Sequence, residues 1–304
     1  TGIRIGAQPF HDLRGIAGDA FGGLWWIEAP QADLDQWQLW HYDPARNAIR
    51  MRLQATGELL GRSDASLTPF LLTAQPDFAP GESGGIAGVS LLLDTVDKAL
   101  QASNQGVYRV NVQFDDTGAG AVSGLALPQL AANRYRGPLV VSPSQDQLAF
   151  SDYDATVPSL TGGALRPANT ARVLTLSGRG AGTNRAVYRA ENQFEYLAPD
   201  AAWQGNARLV LARSRFAADD SLAPDPFALT RLRLTEDVAE RYLLPEGKRV
   251  LDHAGCREGR ATVAIIGADG AETLELVVWE DGAAPTALYR LPTQLAHALV
   301  CWLP

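Results

Sequence analysis

The sequence predicts an all-β fold made by repeating one antiparallel four-stranded unit, and three observations predict it. Short apolar runs of strand character recur at 24–27, 89–93, 147–150, 208–211 and 262–266, with starts 54 to 65 residues apart; that spacing fits one four-stranded unit with generous loops. Each run is followed by a second: "WQLWHYD" from Trp37, "GVYRVNV" from Gly106, "ARVLTLSG" from Ala171, "LTRLRLTE" from Leu229 and "ETLELVVWED" from Glu272. In "GVYRVNV" and "TRLRLTE" apolar side chains fall at every second position, the period of a half-buried strand and not of a helix.

A third run closes each unit: "NAIRMRLQ", "AVSGLALP", "RAVYRA", "AERYLLP" and "TALYRLP". Proline at the end of such a run removes a ladder donor, which suits an outermost strand. Between units stand "TPFLLTAQP", "GPLVVSPS", "QFEYLAPD" and "KRVLDHAGC", read as the innermost strand of the following unit. The tail "HALVCWLP", 297–304, has the same character and no later unit to serve. Placed as the innermost strand of the first unit, it closes a ring and removes two open sheet edges. The expected architecture is therefore a single closed β-propeller of five blades, spanning about 1–60, 61–128, 129–190, 191–245 and 246–304; the poorly patterned stretch 55–88 leaves room for a sixth. One short helix is expected over 94–105, where Val96, Ala99 and Leu100 share a face.

Composition bounds the function. Hydrophobic residues make up 46% and charged residues 20%, the balance of a folded globular chain and not of a disordered one. A net charge of −8 repels phosphate backbones and argues against a nucleic-acid partner. The longest charge-free stretch, 117–133, carries Gly118, Gly120, Gly124 and Pro128, so no membrane span is read there. The chain starts at Thr1 and holds one methionine, Met51, a pattern read as a processed product of the periplasm or the cell exterior. The two cysteines, Cys256 and Cys301, fit either one disulfide in an oxidising compartment or two inert buried thiols.

Candidate ligand-binding residues are those beside the expected inner strands, where a propeller lines its channel: Glu28, His41, Asp152, Asp154, Asp200, Asp252 and His253. In "SDYD" the two aspartates lie on one strand face and could share a cation, calcium being the ion that carboxylate oxygens favour; Asp at a strand end also caps turns. The four histidines, His11, His41, His253 and His297, show no metal-ligand spacing, so no metal site and no cofactor are expected. The loop "SGRGAG", 177–182, lacks the helix a phosphate cradle needs. Trp25, Trp26, Trp37 and Trp40 could form a sugar platform, but adjacent strand residues point to opposite faces, and core packing is the stronger reading.

Two resemblances follow from these residues. "GIAGDAFGGLWWIE" with "QLWHYDP", 15–28 and 38–44, resembles the repeats of NHL-type and virginiamycin-lyase-type propellers, and "LVVSPSQDQLAFSDYD", 139–154, resembles the TolB and prolyl-oligopeptidase propeller repeats. Both imply architecture and leave chemistry open. "LAPDAAWQGNARLVLARS", 197–214, and "FHDLRGIAGDAFGGLWW", 10–26, also resemble segments of five-bladed furanosidase-type glycoside hydrolases. That resemblance implies Asp12 as general base and Asp200 as the aspartate that tunes a pKa, but no segment supplies the glutamate acid that glycoside hydrolysis needs. No nucleophile, base and orienter constellation is visible and no catalytic residue is assigned. The expected function is a non-catalytic binding or scaffolding module for a protein partner, with a small-molecule or sugar ligand as a further partner class and the glycoside hydrolase as the alternative.

Overall fold

The computed structural model describes residues 13–19, 21–29, 36–56, 67–79, 85–97, 102–125, 139–158, 167–215, 227–236, 238–256, 259–268 and 270–293. Among the described residues twenty strands form five four-stranded antiparallel sheets, each a meander in chain order. The chain divides into two compact units, Thr1–Arg134 and Tyr135–Pro304. Among the described residues no helix is long and apolar enough to cross a membrane.

The first unit holds two sheets. One comprises β1 (Leu13–Gly18), β2 (Leu24–Glu28), β3 (Gln36–Asp43) and β4 (Ala48–Thr56); the other comprises β5 (Leu67–Phe78), β6 (Ile86–Asp97), β7 (Ala102–Phe114) and β8 (Gly120–Leu125). Trp25, Ile27, Trp37, Leu39 and Leu53 of the first interleave with Leu71, Val89, Leu91, Leu93, Tyr108 and Val110 of the second. The second unit holds three sheets. These are β9 (Val140–Val141) to β12 (Asn184–Arg189) through β10 (Gln147–Asp152) and β11 (Thr170–Thr175); β13 (Glu195–Gln204) to β16 (Val238–Leu243) through β14 (Arg208–Arg215) and β15 (Ala228–Arg233); and β17 (Lys248–Gly255) to β20 (Thr286–Pro292) through β18 (Ala261–Ala268) and β19 (Thr273–Glu280).

The apolar runs of the sequence are continuous because a sheet flanked on both sides has no wet face. In β14, Leu209 and Leu211 pack towards Ala149, Ala171 and Val173 of one neighbouring sheet, while Val210 pairs with Val250, Ala264 and Ile266 of the other. The last strand of a sheet has no such cover, and β20 is exposed almost throughout.

Four of the five first strands carry an irregularity: between Leu13 and Ile16 in β1, Leu71 and Thr73 in β5, Leu197 and Ala201 in β13, and Val250 and Asp252 in β17. Extra residues there bend the strand and re-aim side chains. Pro199, which has no N–H to give, falls inside the bulge of β13. Two glycines then let neighbouring first strands approach. Gly15 has φ +90°, and a Cβ on it would overlap the Leu71 carbonyl oxygen of β5; a Cβ on Gly255 would overlap the Trp203 carbonyl oxygen of β13.

Two sequence expectations are corrected. The described residues of 94–105 are strand: β6 runs to Asp97 and β7 begins at Ala102, with Asp97 paired to Ala102 and Val96 to Ser103. The β-branched pair Thr95–Val96 and the cross-strand ladder outweigh a weak helical face. The position beside β2, reserved for 297–304, is held by β1, since Ile16 pairs with Trp26 and Ala17 with Trp25. Residues 297–304 lie outside the described residues.

Candidate functional site

The sequence-expected ligand-binding residues fall in both units, Glu28 and His41 in the first and the others in the second. Glu28 ends β2, half-buried and opposite Gln38; His41 sits on β3 opposite Trp25, three positions away along the sheet, about 10 Å. His41 is thus on a third strand and not beside an inner one. Asp252 and His253 are half-buried on β17, where the Asp252 carboxylate accepts the His253 backbone N–H at 2.8 Å. Asp200 lies in the bulge of β13 with its side chain outside the described residues, and Asp12 lies outside them altogether.

Asp152 and Asp154 do share a cation, and it is a guanidinium. Arg172 on β11 places Nε 3.0 Å from Asp152 Oδ2 and Nη2 3.2 Å from Asp154 Oδ2. Asp154 also closes a turn, accepting the backbone N–H of Thr156 at 3.0 Å and its hydroxyl at 2.6 Å. The Thr156 hydroxyl, the Thr156 N–H and the Arg172 charge hold this carboxyl below its ordinary range. The positive charge between the two aspartates thus comes from the chain itself. Among the described residues no group of three or more His, Cys, Asp or Glu side chains is placed to hold a metal ion.

The most developed polar constellation is in the first unit, at the hairpin end of its sheets. Asp19, in the β1–β2 turn, accepts the N–H groups of Phe21 (2.9 Å) and Gly23 (2.8 Å) on Oδ1 and the Trp25 indole N–H (2.9 Å) on Oδ2. The Trp25 indole stacks on the His41 imidazole at 4.0 Å and 20°. Arg52 Nη2 lies 3.4 Å from His41 Nδ1. A guanidinium only donates, so Nδ1 accepts and the imidazole proton sits on Nε2. Burial, with the Arg52 charge adding to it, pulls the His41 pKa down to about 4; His41 is neutral at neutral pH. Gly23 is required here, because a Cβ on it would collide with the Asp19 carboxylate and approach His41 Nε2 to 3.0 Å.

In front of this constellation lies a cleft of about 240 Å³, lined by Phe21, His41, Asp43, Pro44, Arg46, Phe78 and Ile86 among others. Its two phenylalanines stand exposed at the rim. Asp19, Phe21 and Phe78 are not among the sequence candidates, although "GDAFGG", an aspartate among glycines before a tryptophan strand, is the signal of a side-chain-closed turn.

The second unit carries an arginine network at the hairpin end of its last two sheets. Arg231, fully buried, donates to Glu240, to Gln204 Oε1 at 3.3 Å and to the Trp279 carbonyl at 3.2 Å, pairs with Asp281 at 3.1 Å, and lies over the Trp279 ring at 4.2 Å. Glu240 also takes Arg233 at 2.9 Å, and Arg208 pairs with Asp281 at 2.6 Å.

No protein-family model and no curated protein sequence matches the chain. Solved structures do. An oligogalacturonate lyase from Vibrio parahaemolyticus superposes with TM-score 0.50 at 7% identity, over 93% of this chain and 65% of that one. The fold is of the β-propeller type. Further similar structures are an oligogalacturonate lyase in complex with manganese (TM-score 0.47, 12% identity, 88% of this chain and 62% of that one) and the nidogen/laminin complex (0.43, 8%, 93% and 80%). The chain spans between 40% and 65% of the first four solved chains that it matches.

Proposed function

We propose that this chain is a non-catalytic, extracytoplasmic propeller module of five blades that binds a protein partner. One observation carries the reading: in the described clusters the charged groups are committed to one another, while large apolar side chains are left in water. Asp152 and Asp154 are bound to Arg172, Glu195 to Arg213, Glu240 to Arg231 and Arg233, and Glu275 to Lys248. A carboxylate held in an ion pair keeps its charge and is poorly placed to pass a proton. Phe21, Phe78, Phe194, Leu243, Leu288 and Tyr289 are exposed, and exposed apolar patches mark interaction surfaces. Cys256 is buried and disulfide-bonded, which supports an oxidising compartment; the chain's one other cysteine, Cys301, lies outside the described residues.

A thermal-shift screen against purified envelope proteins, neutral and acidic oligosaccharides and calcium tests the reading. Stabilisation by a protein alone is expected, because a ligand raises the melting point only by binding the folded state. Turnover of an oligosaccharide that disappears in Asp200→Asn would overturn it in favour of a hydrolase.

A further inference from the structure

Phe21, in the β1–β2 turn, is 65% exposed, and Phe78, at the end of β5, is 44% exposed. Their rings meet edge to face at 4.6 Å and 68°. Two aromatic rings from different sheets thus hold each other in water at the rim of one cleft, where burial of either by an incoming group is favourable.

Three properties of the cleft choose its occupant. Its volume of about 240 Å³ falls below the roughly 300–1,000 Å³ of pockets that enclose a whole small molecule, and suits one side chain. Its polar groups are already engaged. Asp19 serves three donors, Asp43 accepts Ala45 N–H at 3.0 Å and Arg46 at 3.1 Å, and the His41 Nδ1 faces Arg52. A hydroxyl-rich sugar would find few free partners there and would lose its own hydration. Its charged lining is two carboxylates, Asp19 and Asp43, against one guanidinium, Arg46, on a chain of net charge −8; a cationic surface is steered towards it.

We propose that the Phe21–Phe78 cleft is the anchor pocket for an aliphatic or aromatic side chain carried in a basic segment of the protein partner, an inference that rests on the binding-module reading. A side chain anchored in a pocket supplies a large share of an interface's affinity.

Fluorescence anisotropy on the full chain with labelled short peptides tests it, using a central leucine between lysines, the same leucine between glutamates, and a serine between lysines. The lysine–leucine peptide is expected to bind and to weaken with added salt. Phe21→Ser and Phe78→Ser should each weaken it at least about tenfold. Both residues are exposed, so both variants should melt like the parent, and Val238→Ser, exposed on β16, should bind as the parent does. The proposal is overturned if the parent does not bind that peptide, if the glutamate or serine peptide binds as well, or if both phenylalanine variants bind undiminished. Capture of a purified protein partner that survives both phenylalanine changes sinks the cleft and spares the module; failure of every protein to bind sinks the module itself.

Discussion

A single imidazole shows how burial becomes a pH dependence. His41 has a folded pKa of about 4 against its ordinary 6.5, so the unfolded chain binds its proton first as the pH falls. Stability from this group is complete above about pH 6.5 and is lost progressively down to about pH 4. The expected result is a melting temperature that declines from pH 7 to pH 5 in the parent and declines less in His41→Gln, read by circular dichroism. Below that window Asp154 and Glu240 take over, since both are held below their ordinary values and lose their contribution as they protonate. Glycine gives a second test at the same scale. Gly15→Ala and Gly255→Ala should each destabilise by about 2–4 kcal/mol in urea unfolding, because the added methyl meets a backbone carbonyl that cannot rotate away. Gly18→Ala, with open space around its Cβ, should change stability by no more than about 0.5 kcal/mol. Sequence marks all three positions identically; only the proximity of β5 and β13 separates them.

The strands read most clearly where both faces are buried. In "RLVLARSR" of β14 both neighbours contribute partners, so Leu209 to Ala212 form an unbroken, buried apolar run that stands out from its surroundings. Arginine inside "LTRLRL" was the less obvious signal. Alternation there places Arg231 on the face opposite Leu232, and in the fold that face is covered too, so Arg231 is fully buried; an unpaired guanidinium could not remain there, and the structure supplies Glu240 and Asp281. Arg231→Ala should therefore cost about 3–5 kcal/mol in urea unfolding, well above Arg46→Ala, whose pair with Asp43 is exposed and worth less than about 1 kcal/mol. The expected helix over 94–105 failed for a related reason. Its few apolar residues satisfy a helical face locally, but pairing of β6 with β7 satisfies backbone groups that a short isolated helix would leave open at its ends.

For the whole molecule, the proposed five-bladed module predicts a single calorimetric transition, and two separable transitions would assign the two units independent stability. Titration of the unfolded, unreduced protein should find no free thiol, and reduction should cost about 2–4 kcal/mol; two reactive thiols would remove that tie and the argument for export together. Period-two patterning, turn residues and the spacing of apolar runs determined the all-β class and its repeat from sequence alone, because strand alternation and turn chemistry are local properties of neighbouring residues. Tertiary structure alone decided that β1 stands beside β2, that Arg172 satisfies Asp152 and Asp154, and that Phe21 meets Phe78 over a cleft floored by His41. The identity of those contacts depends on how sheets pack and where bulges turn a strand, which no short stretch of sequence encodes.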